Sequence, residues 1–414
     1  MYATLGNNYT IYRRIVRRMR RHLLQKNIAL TLNILAYGVL GGALVLLFSV
    51  QFILATAGAP SSCILFDKST RTITITCSSA NLTDVHDHLN DNTILSKVQS
   101  SSKGDVWLLN ANLTIAKGAT FYINQTDTSW LKIGSDGNNA YGIQVYGNLK
   151  INSTKITSWD LKKNGYATTI TSEAETVPRP FIIVNEKAAN NATADITNSE
   201  IAYLKHLSYY GGYGSILRNN NIHDNWFGFY SKGIGGLVVE NNRVHDNGRY
   251  GIDPHSGTHN MIIRNNVVHD NGEQGIICSS NCYNITIENN EVYHNAKAGI
   301  MLDGNMSNSV TRNNIVYNEI QGIFISNSHN NALYENRILN SQSGFYLQNN
   351  SSKNIIHDNQ VIRPLFAGII IDTNSSNNMF YSNKVENSRQ FGIIENSNAT
   401  NNIFRNNQIA NSNK

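Results

Sequence analysis

Residues 250–257 read YGIDPHSG and carry three side chains capable of proton transfer, Tyr250, Asp253 and His255. An imidazole titrates near neutral pH, and a phenol or a carboxyl can donate or accept a proton when its surroundings shift its pKa. Asp253 and His255 are two residues apart, so a β-strand would place both on one face. Pro254 between them lacks a backbone N–H, which predicts a bent or unpaired strand. The stretch therefore predicts general acid–base chemistry.

These residues interrupt a repeat in which a glycine is followed by an apolar run. The glycines are Gly228, Gly251, Gly275, Gly299, Gly322, Gly344, Gly368 and Gly392. Asparagines recur at nearly the same steps, at Asn242, Asn266, Asn290, Asn314, Asn336, Asn359, Asn383 and Asn407. A period of 22 to 24 residues is typical of a solenoid. Short strands between turn residues, with no helical period, predict an all-β, single-stranded parallel β-helix.

The phase of the repeat predicts which side chains face outward. The position after each repeat glycine is Ile or Phe and is expected in the core. Strand alternation then places the second and fourth positions outward. Asp253 and His255 hold these positions, and the preceding coil supplies Tyr230 beneath Asp253 and Lys232 beneath His255. Tyr250 borders the same patch.

A structural explanation competes with the catalytic one. Outward positions of a β-helix are commonly polar, and His223, His245 and His269 recur with the repeat, as residues that decorate a turn would. His255 and Pro254 do not recur. A departure confined to one coil favours a functional site on a regular scaffold.

The formal charge of +6 is concentrated at the N-terminus. Seven of the 34 basic residues and no acidic residue precede position 28, which leaves 27 basic against 28 acidic residues. The near-neutral remainder excludes a general nucleic-acid-binding surface. Residues 28–57 carry no charge and exceed the roughly 20 residues that span a bilayer, which predicts a transmembrane signal-anchor helix after a basic cytoplasmic segment, 1–27. The small residues of Ala55–Ala59 leave a cleaved signal peptide as the alternative.

This orientation places the remainder of the chain outside the cytoplasm, at the cell surface or in a periplasm-like space. We expect residues 58–104 to form a linker or N-terminal cap and residues 105–414 to form the β-helix catalytic domain. Asn-X-Ser/Thr triplets such as those at Asn284 and Asn305 indicate a glycoprotein, although an Asn-rich chain also produces them by chance.

The four cysteines divide into two pairs. Cys63 and Cys77 flank a predicted strand segment and could pair in an oxidising compartment. Cys278 and Cys282 lack partners at metal-site spacing, so buried thiols are expected there. No metal site is predicted, and assistance by Ca²⁺ is left open.

Three stretches resemble the mannuronan C5-epimerases of alginate biosynthesis. They are DNWFGFY at 224–230, RYGIDPHSG at 249–257 and NEVYHNAKAGIMLD at 290–303. The resemblance extends in organisation over residues 105–410 and implies a right-handed parallel β-helix. It also implies inversion at C5 of uronic-acid residues within a polysaccharide, of the poly-β-D-mannuronate to α-L-guluronate type. The Tyr-Gly-X-Asp-Pro-His run matches the active-site motif of that family.

Two positions depart from the pattern of that family. The family usually has an acid directly after the motif histidine, where this chain has Ser256. A basic residue of the next coil, thought to neutralise the substrate carboxylate, aligns with Ser280. Lys232 is our candidate for that role, and the modular secreted epimerases are similar in drawing a lysine from a preceding coil.

The expected chemistry assigns a role to each residue. The C5 proton lies α to a carboxylate, so its removal requires a cation, for which Lys232 is the candidate. His255 is the candidate base and Tyr250 the donor on the opposite sugar face, although the two roles could be reversed. Asp253 would orient His255 or hydrogen-bond the intermediate. The residues expected to bind substrate are Tyr230, Trp226, Arg249 and Ser279.

Two other functions compete with epimerisation. A polyuronate lyase would remove the same proton and then expel the C4 substituent. A cell-surface carbohydrate-binding solenoid would use the same face without turnover. All three share an anionic uronate polysaccharide as partner.

Overall fold

Short strands separated by turns wind into a parallel β-helix of three sheets. The computed structural model describes residues 62–168, 178–184 and 192–412. Two sheets have 14 strands and the third has 12, which corresponds to about twelve coils. With few exceptions, each strand pairs in parallel with the equivalent strand of the coils before and after it. The predicted all-β solenoid is confirmed.

The strands are numbered in chain order. Sheet A contains β1 (Ile64–Asp67), β2 (Thr72–Ile75), β5 (Asn112–Ile115), β8 (Gly142–Val145), β11 (Phe181–Val184), β14 (His206–Tyr210), β17 (Phe227–Lys232), β20 (Ile252–His255), β23 (Ile276–Cys278), β26 (Ala298–Asp303), β29 (Gln321–Ser326), β32 (Ser343–Gln348), β35 (Ala367–Ile371) and β38 (Phe391–Glu395). Sheet B contains β6 (Thr120–Asn124), β9 (Asn148–Asn152), β12 (Thr193–Thr197), β15 (Ile216–Arg218), β18 (Val238–Glu240), β21 (Ile262–Arg264), β24 (Thr286–Glu288), β27 (Val310–Arg312), β30 (Ala332–Tyr334), β33 (Ile355–His357), β36 (Met379–Tyr381) and β39 (Ile403–Arg405). Sheet C contains β3 (Leu95–Gln99), β4 (Asp105–Leu109), β7 (Thr128–Ser135), β10 (Lys155–Asp160), β13 (Glu200–Ala202), β16 (Asn221–His223), β19 (Arg243–His245), β22 (Val267–His269), β25 (Glu291–Tyr293), β28 (Ile315–Tyr317), β31 (Arg337–Leu339), β34 (Gln360–Ile362), β37 (Lys384–Glu386) and β40 (Gln408–Ala410).

The first described residues form antiparallel strand pairs and a helix. Strand β1 pairs antiparallel with β2, and β3 pairs antiparallel with β4. Between β2 and β3 lies helix α1 (Leu82–Leu89), whose N-cap Asn81 accepts a hydrogen bond from the Asp84 N–H. The α1 side chains Leu82 and Val85 are buried in the core. This region thus adds apolar surface to the first coils and hides the outer edges of β2 and β4.

No helix within residues 62–168, 178–184 and 192–412 has the length and hydropathy of a membrane span. The predicted span 28–57 and the basic segment 1–27 lie outside the described residues.

The cysteines behave as the sequence predicts. Cys63, directly before β1, and Cys77, just after β2, form a disulfide. Cys278 and Cys282 are free and buried.

Asparagine pairs at the turn between sheets B and C explain the recurring "NN" of the repeat. The first asparagine of a pair, such as Asn265 or Asn289, adopts a positive φ near +55°, a conformation that asparagine tolerates better than most residues. The second is buried. Asn290 accepts hydrogen bonds from the backbone and side-chain nitrogens of Asn266, and it donates to Ile263 O and to Asn314 Oδ1, all at 3.0 Å. An asparagine ladder therefore runs along the inside of the helix.

A second ladder, at the turn between sheets C and A, ends in a carboxyl group. Asn271 contacts Asn295, and Asn295 donates from its backbone and side chain to Glu319 Oε1. Burial raises the pKa of Glu319 to about 8, although Asn295 acts to lower it. A protonated carboxyl thus takes the place of an amide.

The recurring histidines lie on sheet C. The rings of His223, His245, His269, Tyr293 and Tyr317 stack at 4.7 to 5.1 Å between centroids. The Nδ1 atom of each of the three histidines also hydrogen-bonds the aspartate that follows it. The recurring histidines thus belong to an aromatic ladder along the strands rather than to a turn alone.

The repeat glycine permits close approach of successive coils. A Cβ atom at Gly251 would lie 2.6 Å from the carbonyl oxygen of Gly275, which is closer than van der Waals contact allows. From Gly228 to Gly392, the chain therefore has a glycine at the start of each sheet A strand, and this sets the phase of the residues that follow.

We predict that Asn290→Ala lowers the free energy of unfolding by about 3 kcal/mol, because it removes four hydrogen bonds and leaves buried backbone groups unpaired. Guanidinium unfolding measures the change. The exposed Gln360→Ala provides the control, with a change below about 0.5 kcal/mol. Equal effects of the two substitutions would contradict a stabilising ladder.

Candidate active site

The pairing of β17 with β20 follows the predicted register. Tyr230 is opposite Asp253, and Lys232 is opposite His255. Above β20 the pairing is interrupted: only Ile252 pairs within β23, and an isolated bridge joins His255 to Ser279. This is the bent or unpaired position that Pro254 predicted.

The outer face of sheet A carries a cavity of about 600 Å³ at this level. Six of the eight predicted site residues line it: Tyr230, Arg249, Tyr250, Asp253, His255 and Ser279. Other lining residues include Lys205, His206, Tyr210, Phe227, Ser280 and Asp303. Residues from several successive coils thus contribute to a single concave surface.

The other two predicted site residues, Lys232 and Trp226, do not line this cavity. Lys232 is exposed next to His255. Trp226 is buried and lies edge-to-face against Phe227. The cations that face the cavity are instead Lys205 and Arg249.

Asp253 is buried, although the sequence analysis expected its side chain to face outward. Asp253 is 1 % exposed, and Tyr230 lies opposite it in the coil below. Its Oδ1 atom has no hydrogen-bond partner among the described residues. Burial raises the pKa of Asp253 well above the usual value, although Arg249 acts to lower it. Burial therefore favours the neutral carboxylic acid, which can donate a hydrogen bond.

His255 is held between two hydroxyl groups. Ser256 Oγ lies 2.5 Å from Nδ1, and Ser280 Oγ lies 3.5 Å from Nε2. The two positions that depart from the epimerase pattern thus both contact this imidazole. Burial lowers the pKa of His255, the charge of Lys232 lowers it further, and Asp303 raises it. The imidazole is therefore neutral at neutral pH and able to accept a proton.

Arg249 connects Tyr250 to the next coil. Its Nη2 donates to Tyr250 Oη at 3.2 Å and its Nε donates to Glu273 Oε1 at 3.1 Å. Glu273 also accepts a hydrogen bond from Lys297 Nζ at 2.7 Å. The guanidinium carbon lies 4.8 Å from the centroid of the Tyr250 ring and 5.3 Å from that of Phe227. Burial and then Glu273 raise the pKa of Tyr250, whereas Arg249 lowers it.

Lys205 and His206 were missed by the sequence analysis for a structural reason. The pairing of β14 with β17 shifts by one residue between His206 and Ser208, so counting back from the repeat glycine loses the register there. Burial and then Lys205 lower the pKa of His206 to about 4, which makes its imidazole neutral. A basic residue before an aromatic-rich strand, in LKHLSYY at 204–210, was the available signal.

The arrangement can move protons next to an anion. A neutral imidazole and a phenol can exchange protons with a bound molecule, and a protonated carboxyl and two cations can stabilise negative charge. Tyr210, Tyr230 and Phe227 supply aromatic surface, with ring centroids 5.8 Å apart between neighbours. These features suit an anionic sugar.

Comparisons with known proteins agree with the fold. The family described as the right-handed β-helix region matches residues 181–315 and 277–409. Comparison with curated protein sequences gives no match. The crystal structure of the periplasmic alginate epimerase AlgG is similar at 20% sequence identity and a TM-score of 0.72, over 82% of this chain and 85% of that chain. The A-module of the Azotobacter vinelandii mannuronan C-5 epimerase AlgE4 is 14% identical with a TM-score of 0.43, over 72% and 88% of the two chains.

We predict that Lys232→Met raises the pKa of His255 by about 0.5 unit, because it removes a neighbouring positive charge. An NMR titration of the imidazole measures the shift. Lys103→Met, which removes an exposed charge elsewhere, serves as the control. An unchanged pKa in Lys232→Met would show that the ammonium does not act on the ring.

We also predict that Asp253→Asn is more stable than the wild type at pH 7 and that this difference disappears near pH 3. Because the pKa of Asp253 is raised in the folded state, this residue does not destabilise the fold below the unfolded pKa of 3.8. As the pH rises from there towards the folded pKa, the free energy of unfolding of the wild type decreases. The asparagine does not ionise and escapes this loss. Thermal unfolding at the two pH values measures the effect. A variant less stable at pH 7 than at pH 3, relative to wild type, would contradict a buried neutral acid.

Proposed function

The chain belongs to the right-handed β-helix family, and we propose that its sheet A cavity inverts C5 of uronic-acid residues within a polysaccharide. One observation carries the proposal: the His255 imidazole, the Tyr250 phenol and the buried Asp253 carboxyl, whose pKa burial raises, line one cavity. The similarity in fold to a protein named an alginate epimerase supports a polyuronate substrate. A poly-β-D-mannuronate is the polymer we propose.

The negative charge of the intermediate is the main obstacle to this reaction. Loss of the C5 proton converts the carboxylate into an enolate-like dianion, so groups that face the carboxylate must stabilise the added charge. We assign this to Lys205 and Arg249, which line the cavity, and to Asp253, whose neutral carboxyl donates a hydrogen bond. For Lys232 we propose a different role from the neutralisation of the substrate carboxylate expected from the sequence: its charge favours the neutral form of His255.

Inversion requires proton transfer at both faces of the sugar. His255 accepts the C5 proton as the C5–H bond breaks, and the Tyr250 phenol donates its proton to C5 from the opposite face. His255 then releases its proton to solvent and Tyr250 regains one, which balances the cycle. The assignment of base and acid can be exchanged; the low pKa of His255 supports it as the acceptor from neutral pH upward.

The remaining lining residues suit binding of the neighbouring sugar rings. Tyr230 contacts His255 and Tyr210 through its ring, with centroids 5.6 and 5.8 Å away. Its pKa is raised to about 12 by burial and then by Asp253, so it is a neutral phenol. We propose Tyr230 and Ser279 as substrate-binding residues next to the reacting sugar.

We propose that the cavity operates outside the cytoplasm. The disulfide between Cys63 and Cys77 is typical of an oxidising compartment. The similar epimerase AlgG is named as periplasmic. Both agree with the orientation expected from residues 1–57, for which anchoring by segment 28–57 stays a prediction.

We predict that the protein incorporates deuterium at C5 of polymannuronate in deuterated water without shortening the chain. Proton NMR detects the exchange and the new stereochemistry. His255→Gln and Tyr250→Phe should each lower the rate by about 10²-fold to 10⁴-fold, because each loses one proton-transfer group.

The matched control is His245→Gln, which removes a histidine from the sheet C ladder and should retain activity. Ultraviolet absorbance of an unsaturated product would instead identify a lyase. Polymer binding with no exchange would identify a carbohydrate-binding solenoid. Full activity in His255→Gln would refute the assigned base.

A further inference from the structure

Three charged residues of alternating sign occupy one position in successive coils. Arg249, Glu273 and Lys297 each lie two residues before the glycine that opens a sheet A strand. The Glu273 N–H donates to Arg249 O at 2.9 Å, and the Lys297 N–H donates to Glu273 O at 3.3 Å. The backbone therefore stacks the three side chains in one column.

The carboxylate of Glu273 is shared between the two cations. Oε1 faces Arg249 at 3.1 Å, and Oε2 faces Lys297 at 2.7 Å. Although burial acts to raise it, the pKa of Glu273 is lowered by Lys297 and then by Arg249. Glu273 is therefore an anion held partly out of water, where its charge acts on neighbours with little screening.

Tyr250 and Asp253 both experience this column. Burial raises the pKa of each, Glu273 raises both further, and Arg249 lowers both. The other ionisable groups around Asp253 are the neutral phenol of Tyr230 and the buried thiols of Cys278 and Cys282. Arg249 and Glu273 act on the two acids with opposite signs, and Lys297 acts on Glu273.

We infer that Glu273 and Lys297 are positioning residues that hold Arg249 against the Tyr250 phenol and balance its charge, so that Tyr250 and Asp253 are protonated when the substrate binds. The inference rests on the proposed function, in which both groups act as proton or hydrogen-bond donors. Arg249 alone would favour their ionised forms. Glu273 counteracts this effect of Arg249, and Lys297 partly neutralises the charge of Glu273.

This arrangement predicts opposite effects for the two outer members. In Glu273→Gln the guanidinium is no longer neutralised, so the Tyr250 phenol ionises at lower pH. In Lys297→Met the Glu273 carboxylate loses one of its two cations and acts more strongly on its neighbours, so the phenol ionises at higher pH. A residue that only maintained the fold would not produce shifts of opposite sign.

The test is an NMR titration of the full chain labelled with ¹³C at the tyrosine Cζ atoms, with the Tyr250 resonance assigned by its loss in Tyr250→Phe. We expect Glu273→Gln to lower the pKa of Tyr250 by about one unit and Lys297→Met to raise it by a smaller amount. Glu288→Gln is the matched control, because Glu288 lies in the same coil and pairs with Arg312 in sheet B. It should leave Tyr250 unchanged.

Activity provides an independent reading of the same coupling. The basic limb of the pH–rate profile should move down in Glu273→Gln and up in Lys297→Met. Shifts in the same direction, or none in either variant, would overturn the inference. If the Tyr250 titration shifts as expected but no polymer is epimerised, the proposed function fails while the coupling within the column stands.

Discussion

Parallel pairing between coils is the constraint on which the rest of this structure depends. The backbone hydrogen bonds place each residue beside the equivalent residue of the next coil. A residue that departs from the repeat therefore still has the equivalent residues of the coils above and below as its neighbours. The glycine at the entry to sheet A and the buried asparagines keep every coil in phase. Tyr230 and Asp253, or Lys232 and His255, are therefore adjacent although more than twenty residues separate them in the chain.

The same pairing explains how the scaffold tolerates an unfavourable site. Asp253 is buried with an unpaired oxygen among the described residues, and Pro254 interrupts the pairing of β20 with β23. Both features reduce stability locally. The asparagine ladder and the stacked rings of sheet C run past this coil without interruption, and they maintain the backbone around it. The candidate site is thus confined to one face of the coil, while the other two faces stay regular.

Much of this organisation could be predicted from the recurring glycines and asparagines, because their period sets the coil length and their phase sets the direction of each side chain. The pairing of Lys232 with His255 followed from that phase alone. The burial of Asp253 could not be predicted in this way, since the phase gives the direction of a side chain but not how far its neighbours cover it. Lys205 was missed because a shift in strand pairing precedes the regular repeat.

The most direct test of the account is a crystal structure of His255→Gln with a bound mannuronate oligosaccharide. The account predicts a sugar in the sheet A cavity, with its carboxylate facing Asp253 and the cations Lys205 and Arg249. Its C5 atom should lie between the side chain at position 255 and the Tyr250 hydroxyl. An oligosaccharide bound on sheet B or sheet C, or a carboxylate turned away from Asp253, would contradict the proposed reaction at this site.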